Sequence, residues 1–162
     1  MVDELYQLAE ETGHALKARG WMLATAESCT GGWVGEAVTA VAGSSSWYDR
    51  GFITYTNASK LEMLGVQAET LARHGAVSEE TVCEMAAGVL LHSQAHISLA
   101  ISGIAGPTGG SPGKPVGTVC FAWAIKDGTV KSERCLFPGD RREVRRQAVE
   151  HALQGVLALL QL

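Results

Sequence analysis

The alternation of apolar and polar positions divides the chain into helices and strands. Over residues 2–19, apolar side chains recur every three or four positions and basic residues precede Gly20, which predicts an amphipathic helix ending at that glycine. An apolar run of strand length follows at 21–26, and 30–43 has the pattern of a second helix. The first third of the chain is therefore predicted to form a helix and then a strand, a tight turn and a helix.

The middle of the chain continues this alternation. Residues 51–56 are rich in β-branched and aromatic side chains and predict a strand, after which a short helix begins near Asn57. Residues 78–93 predict a longer helix, because Ser78 can cap its first turn and two acidic residues follow directly. Residues 96–103 then predict another strand.

The last third is predicted to contain a loop, a hairpin and a long helix. The loop at 104–115 is rich in glycine and proline, and its length suggests a functional role. Two β-rich runs, 116–125 and 130–137, flank Asp127-Gly128 and predict an antiparallel hairpin. A capping-box pattern opens a helix over 140–162. We therefore expect an α/β fold, a layered α/β/α sandwich with a mixed, mostly parallel sheet and a C-terminal hairpin and helix.

Length and charge narrow the classes of function. A chain of 162 residues with 46% hydrophobic content is expected to bury one core, so we predict a single domain over 1–162. The formal net charge of -4 argues against a nucleic-acid partner. The acidic amino terminus lacks a secretory signal pattern, and no apolar stretch approaches membrane-spanning length. We expect a cytoplasmic protein with a small-molecule substrate, and the long terminal helix is compatible with a homodimer.

The spacing of cysteines and histidines matches no disulfide framework or metal motif. The four cysteines contain no C-x-x-C pair, and the five histidines form no H-E-x-x-H and no zinc-ligand spacing with a cysteine. On spacing alone we predict reduced thiols, no metal site and no cofactor.

The stretch TAESCTGGW at 25–33 is the strongest candidate for chemistry. It lies between a predicted strand and a predicted helix, where open α/β sheets bind ligands. Gly31 and Gly32 allow the backbone to approach a ligand closely, and the helix start can hold an anion or a developing oxyanion. On these grounds alone, Ser28 or Thr30 can equally well be a simple helix cap.

Two generic motifs in the glycine-rich loop are rejected on backbone grounds. GGSPG at 109–113 matches a nucleophile elbow, but Pro112 lacks the N–H that an oxyanion hole requires after the nucleophile. SPGK at 111–114 matches S-x-x-K, yet its proline and glycine and the following Pro115 prevent the helical turn that this motif needs. We treat both matches as coincidence.

Several longer motifs occur together in one order and carry a more specific signal. They closely resemble the CinA C-terminal domain family, in particular its stand-alone nicotinamide mononucleotide deamidases, over about residues 5–155. The motifs are TAESCTGGWVGEAVTAVAGSSSWYDRGFITYTNASKLEMLGV, HGAVSEETV, ISGIAGPTGGSPGKPVGTV and PGDRREVRRQA. The resemblance implies hydrolysis of the carboxamide of nicotinamide mononucleotide, with release of ammonia, by a serine and a lysine base without a metal.

The resemblance also implies roles for individual residues. Ser28 corresponds to the nucleophile and Lys60 to the general base, while Tyr55 and Ser102 assist proton transfer or positioning. The implied substrate-binding residues are Thr30, Gly31, Gly32, Gly103, Arg141, Arg145 and Gln147.

The chemistry agrees with these roles, and two alternatives stay open. An amide is a poor electrophile, so a serine needs a base within hydrogen-bond reach, and a lysine can act as that base only when neutral. One alternative is a nucleotide-binding or regulatory module without catalysis. The other is a cysteine-dependent amidase with Cys29 as nucleophile.

Overall fold

The helices and strands follow the predicted alternation, with one helix added. The structure, a computed structural model, describes residues 3–162. Its helices are α1 (Glu4–Arg19), α2 (Trp33–Thr39), α3 (Asn57–Leu64), α4 (Ala68–His74), α5 (Glu79–Leu91) and α6 (Arg141–Leu160). Its strands are β1 (Leu23–Glu27), β2 (Tyr48–Ile53), β3 (Ile97–Gly103), β4 (Thr118–Ile125) and β5 (Val130–Leu136).

The strands form one mixed sheet in the order β2-β1-β3-β4-β5. Strand β1 pairs in parallel with both β2 and β3, whereas β4 is antiparallel to β3 and to β5. Four strands therefore point the same way and only β4 of the described strands runs against them. The predicted α/β class with a mixed sheet is confirmed, and so is the hairpin around Asp127-Gly128. Because β1, β2 and β3 are parallel, their carboxyl ends lie along the same edge of the sheet.

Successive strand residues point to opposite faces, and the two faces of this sheet carry side chains of different size. One face presents large residues such as Leu99, Phe121 and Trp123, which are buried together with residues of α1, α2 and α6. The other face presents alanines, among them Ala100 and Ala122, buried together with residues of α3 and α5. The helices thus form a layer on each face of the sheet.

Side-chain caps begin the helices close to the predicted positions. Thr56 caps α3 and forms a capping box with Ser59, one residue before the expected start. Ser78 accepts a hydrogen bond from the Thr81 N–H at the start of α5. Asp140 and Glu143 form the predicted capping box of α6. These local signals were visible in the sequence because each cap bonds within three residues.

The bounds of two elements differ from the sequence prediction, and one helix was not predicted. Strand β2 covers Tyr48–Ile53 rather than 51–56, because its pairing with β1 starts at Leu23 and Tyr48. Helix α2 ends at Thr39, well before Gly43, and a 3₁₀ turn follows that leads to the buried Trp47. Helix α4 was not predicted, because it buries no residue and has no side-chain cap.

Within residues 3–162, no helix combines the length and the apolar character that crossing a bilayer requires.

Candidate active site

Ser28 lies in a tight turn immediately after β1, at the shared carboxyl edge of the parallel strands. Its N–H donates to the carbonyl of Ile101 on β3 (3.0 Å), and its own carbonyl accepts from the Gly31 N–H (3.0 Å). Gly31 and Gly32 have φ of 61° and 106°, a region that residues with a side chain rarely adopt. The glycine pair therefore makes the sharp turn into α2 possible, as the sequence predicted.

Lys60 contacts Ser28 from helix α3, which follows β2. Its amine, carried by the second turn of α3, lies 3.0 Å from Ser28 Oγ. The same Nζ donates to the carbonyl of Thr54 (2.8 Å) and to that of Tyr55 (3.4 Å), where the chain leaves β2. Two sequence-predicted residues that are 32 positions apart are thus in direct hydrogen-bond contact.

The surroundings of Lys60 favour its neutral form. Only 1% of the residue is exposed, and in the described part of the chain no carboxylate lies within salt-bridge distance of its amine. Loss of hydration on burial lowers the pKa of Lys60 below its ordinary 10.5, and a charge on Cys29 would act in the opposite direction. A lysine placed in this way can accept the proton of a serine hydroxyl.

A cavity of about 250 Å³ opens over this pair. Besides Ser28 and Lys60, its walls include Tyr55, Ser102, Gly103 and Arg141. Ser102 lies near the end of β3 and is 1% exposed, so its hydroxyl faces a shielded space. The structure therefore brings the four predicted catalytic residues and two of the predicted substrate-binding residues to one cavity.

Tyr55 and Arg141 form part of the rim of this cavity. The Tyr55 side chain is 58% exposed, and its hydroxyl accepts a hydrogen bond from Arg141 Nη2 (3.2 Å). Arg141 Nη1 donates to the carbonyl of Gly106 in the glycine-rich loop (2.8 Å). The guanidinium of the first residue of α6 thus joins that loop to the chain that follows β2.

Three other predicted binding residues have their side chains committed elsewhere. Arg145 donates to the carbonyls of Cys29 (2.9 Å) and Thr30 (3.2 Å), and these two hydrogen bonds fix the backbone of the Ser28 turn. Thr30 is fully buried and donates its hydroxyl to Glu27 (2.7 Å). Gln147 donates to the carbonyls of Pro138 (2.8 Å) and Glu143 (2.9 Å) and is not part of the cavity wall.

Glu27 is a supporting residue that the sequence analysis missed. Its carboxylate is 2% exposed and accepts hydrogen bonds from the N–H groups of Val34 (2.8 Å) and Gly35 (3.0 Å) as well as from Thr30. The first residue before α2 is Gly32, with no side-chain cap, so neither Ser28 nor Thr30 caps this helix. Glu27, at the end of β1, caps the helix instead, because its carboxylate accepts from the N–H groups of the first turn.

Gly103 allows the end of β3 to approach the Ser28 turn. A Cβ at this position would lie 2.7 Å from a Val119 methyl and 3.1 Å from the thiol of Cys29. The absence of a side chain at 103 is therefore a packing requirement beside the cavity.

Comparisons with known proteins place the chain in a family. The model of the family described as CinA C-terminal domain matches residues 5–160. Nicotinamide-nucleotide amidohydrolase PncC of Escherichia coli K12 is 58% identical over 151 residues, 93% of this chain and 92% of that protein. The enzyme of the same name from Pseudomonas putida is 49% identical over 159 residues, 98% of each chain.

A solved structure extends the likeness to the whole fold. The competence/damage inducible protein CihA from Agrobacterium tumefaciens superposes with a TM-score of 0.95 at 43% identity, covering 100% of this chain and 98% of that one. The sequence match and the shared fold together show that the chain belongs to the CinA C-terminal domain family.

Proposed function

We propose that the protein hydrolyses the carboxamide of nicotinamide mononucleotide to nicotinate mononucleotide and ammonia, with Ser28 as nucleophile and Lys60 as general base. The names of two relatives that are 58% and 49% identical supply the reaction class. The observation that carries the mechanism is the 3.0 Å contact between Ser28 Oγ and the buried amine of Lys60.

The reaction proceeds in two halves that use the same pair. Neutral Lys60 takes the hydroxyl proton as Ser28 Oγ attacks the carboxamide carbon, and the proton then passes to the departing nitrogen, which leaves as ammonia. The resulting ester on Ser28 is attacked by water, from which Lys60 again takes a proton. Return of that proton to Ser28 Oγ releases the carboxylic acid and restores the enzyme.

The other predicted residues bind the substrate in this proposal. The guanidinium of Arg141 lines the cavity and is suited to the substrate phosphate, because it is permanently charged and has N–H donors beyond the two that bond Gly106 and Tyr55. The positive charge of the substrate's pyridinium ring disfavours a charged Lys60 further, in addition to burial. Ser102 and Tyr55 assist in positioning, and the backbone of residues 30–32 approaches the reacting amide. Roles for Arg145, Gln147 and Gly103 in substrate binding remain predictions.

An ammonia-release assay with nicotinamide mononucleotide tests the catalytic pair. Ser28→Ala and Lys60→Met are expected to reduce kcat by about 10³-fold or more, because each removes an indispensable partner of one proton transfer. Ser45→Ala, at an exposed serine, is the matched control and is expected to keep wild-type activity. Ammonia release by the wild type no greater than in an enzyme-free blank would leave the non-catalytic binding module as the remaining function.

A second experiment addresses the phosphate. Arg141→Gln is expected to raise KM for the mononucleotide roughly tenfold, while the KM for nicotinamide riboside, which lacks the phosphate, changes little. Arg142→Gln is the matched control, because this neighbouring guanidinium lies over the Trp33 ring, 4.9 Å from its centre. An equal rise in KM for both substrates would contradict the phosphate contact.

The cysteine-dependent alternative has a chemical argument against it. Burial raises the pKa of the Cys29 thiol to about 12, so a thiolate nucleophile is strongly depleted near neutral pH. We expect Cys29→Ala to retain activity within about threefold of wild type. Loss of activity in Cys29→Ala together with retention in Ser28→Ala would favour the thiol.

The remaining expectations concern the setting of the enzyme. We propose a cytoplasmic location, in agreement with four free thiols at Cys29, Cys83, Cys120 and Cys135. The single domain and the homodimer also stay predictions, and sedimentation equilibrium of the full chain measures the oligomeric state directly.

A further inference from the structure

Three side chains with metal-binding atoms meet outside the active-site cavity. Glu133 and Cys135 occupy alternate positions of the edge strand β5 and therefore share one of its faces. His151 of α6 lies opposite them, and one ligand atom from each residue lies within 4.8 Å of the other two. The histidine is 16 and 18 residues away from the other two along the chain, a spacing that matches no zinc motif, so the cluster is formed only by the fold.

The distances among the three ligand atoms suit a tetrahedral Zn²⁺ ion. Zinc bonds of about 2.3 Å to sulfur and 2.0–2.1 Å to nitrogen or oxygen place ligand atoms about 3.3–3.6 Å apart. The sulfur of Cys135 lies 3.6 Å from His151 Nε2 and 4.0 Å from Glu133 Oε2. Nε2 and Oε2 are 2.8 Å apart as a hydrogen-bonded pair, so on metal binding this distance must lengthen by about 0.5 Å and the sulfur–Oε2 distance must shorten by about 0.4 Å.

Neighbouring groups orient two of the three ligands. Lys131 contacts Oε1 of Glu133 at 3.3 Å, which leaves Oε2 directed at the histidine. The imidazole ring packs against both Phe121 and Phe137, with ring centres 4.6 and 6.0 Å away. All three ligand residues are half-buried, so an ion from solvent can reach them.

A simple hydrogen bond between His151 and Glu133 accounts for only part of this arrangement. Such a bond would tie β5 to α6 without any third group. Strand alternation brings the thiol of Cys135 to the same face as Glu133, and its sulfur lies 3.6 Å from the Nε2 atom that already has Glu133 as its partner. Convergence of a sulfur, a nitrogen and an oxygen on one point is the arrangement expected of a metal site.

We propose that Glu133, Cys135 and His151 bind Zn²⁺ between β5 and α6, with a water molecule as the fourth ligand. The mixture of thiolate, imidazole and carboxylate favours Zn²⁺ over Mg²⁺ or Ca²⁺, which prefer oxygen ligands. On binding, the sulfur–metal bond forms as the thiol proton is released to solvent, and the proton shared by His151 Nε2 and Glu133 Oε2 leaves to solvent or to Nδ1 so that both atoms can bind the ion. The site lies outside the cavity that contains Ser28, and no step of amide hydrolysis passes through it.

Cobalt titration of the full-length protein tests the proposal, because Co²⁺ replaces Zn²⁺ and reports its ligands. We expect an absorption band from thiolate-to-cobalt charge transfer that saturates at equal molar amounts of metal and chain, and that added Zn²⁺ abolishes. Cys135→Ser and His151→Gln are expected to lose the band. Cys83→Ser, which alters another partly exposed cysteine, is expected to keep it.

A thermal measurement keeps the test decisive if a variant binds metal elsewhere. Bound Zn²⁺ stabilises only the folded state, so Zn²⁺ is expected to raise the Tm of the wild type and of Cys83→Ser but not of Cys135→Ser. Circular dichroism of the metal-free variants checks that each is folded. The proposal is overturned if the wild type gives no charge-transfer band, or if the band and the rise in Tm persist in both Cys135→Ser and His151→Gln.

Discussion

Lys60 is a residue whose chemistry requires an environment that opposes its own charge. Its amine is buried against two carbonyls and one hydroxyl, none of which carries a negative charge. Loss of water costs the charged form most, and the neutral form is the one that can remove a proton from Ser28. The same burial that lowers the pKa of Lys60 therefore makes it a usable base.

The pH dependence of activity follows from this shift. We expect kcat/KM to rise about tenfold per pH unit while Lys60 is mostly protonated, and to level off at a pH below 10.5, the ordinary lysine pKa. The pH profile of ammonia release measures the midpoint. A rate that does not change with pH over this range, or that falls as pH rises, would contradict Lys60 as the base.

The stability of the protein is expected to depend on the same proton. Because folding lowers the pKa of Lys60, the unfolded chain binds more protons between that lowered pKa and 10.5, and stability rises with pH across this window. Relative to Lys60→Met, which does not titrate, the wild type should gain unfolding free energy as pH increases. At neutral pH we expect the variant to be as stable as the wild type, or about 1 kcal/mol more stable. Urea denaturation at several pH values measures both effects.

At this scale the residues alone identified the turn but not the catalytic pair. The stretch TAESCTGGW predicted a polar turn after a strand, and the structure confirms that location. No local pattern marks Lys60 as a base, and only the family resemblance linked it to Ser28. The link depends on the return of the chain through β2 into α3, which no local pattern encodes. Glu27 was missed for a similar reason, since its bonds to Val34 and Gly35 span seven and eight residues.

Among the elements, α2 owes its start to Glu27 rather than to a residue at its own end. The residue before this short helix is Gly32, which has no side chain to cap the first turn. The N–H groups of Val34 and Gly35, which have no partner within the helix, donate to the buried carboxylate of Glu27. The strand β1, the Ser28 turn and α2 are thereby joined into one unit.

Replacing this carboxylate tests that view. Glu27→Gln is expected to lower the unfolding free energy by about 2 kcal/mol and to reduce kcat, because the amide nitrogen cannot accept from a backbone N–H. Glu36→Gln, which changes an exposed acid in the first turn of the same helix, is the control and should have little effect. Urea denaturation and ammonia release are the measurements, and equal stability of the two variants would contradict the anchoring role.

The contact between α3 and α5 is another element-scale feature with a catalytic consequence. A Cβ added at Gly88 of α5 would lie 2.1 Å from the carbonyl oxygen of Leu64, one turn after Lys60 on α3. Backbone atoms cannot yield as a flexible side chain does, so the helices would have to separate.

We therefore expect Gly88→Ala to reduce both stability, by about 1–3 kcal/mol, and kcat, as the Lys60 amine moves away from Ser28. Gly113→Ala, where nothing surrounds the added carbon within 4 Å, is the control. Activity and denaturation curves of Gly88→Ala that match those of Gly113→Ala would show that α3 does not depend on this contact.

Most elements could be predicted because their signals are local, and the exceptions lack such signals. Helix α5 combines a cap with first-turn acids, and α6 begins with a capping box. Helix α4 has neither buried residues nor a side-chain cap, so its sequence resembles a loop. The register of β2 depends on pairing with β1, which is a tertiary contact.

In the molecule as a whole, the layer that contains α1, α2 and α6 packs on the large-residue face of the sheet around Trp123. This side chain is 1% exposed, and its Nε1 donates to the carbonyl of Ala152 on α6 (3.0 Å). Gly155 leaves the space for the ring, because a Cβ there would lie 2.2 Å from it. One aromatic residue thus joins α6, which carries Arg141 and Arg145, to the centre of the fold.

Trp123→Phe is expected to lower the unfolding free energy by about 2 kcal/mol, through a lost hydrogen bond and an unfilled space. Trp21→Phe, at a half-buried tryptophan, should cost less. If the chain is a single cooperative domain, urea transitions followed by fluorescence and by residual activity should coincide in the wild type. Separate transitions would instead indicate that the two helix layers unfold independently.

The alanine face of the sheet limits how this enzyme can evolve. Ala24, Ala26, Ala100, Ala122 and Ala124 are buried against the layer that contains α5. A larger side chain at any of them would displace α5, and the close approach of Gly88 to Leu64 would pass that movement to α3, which carries the proposed catalytic amine. Selection for catalytic activity is therefore expected to keep these five side chains small, although they do not contact the substrate.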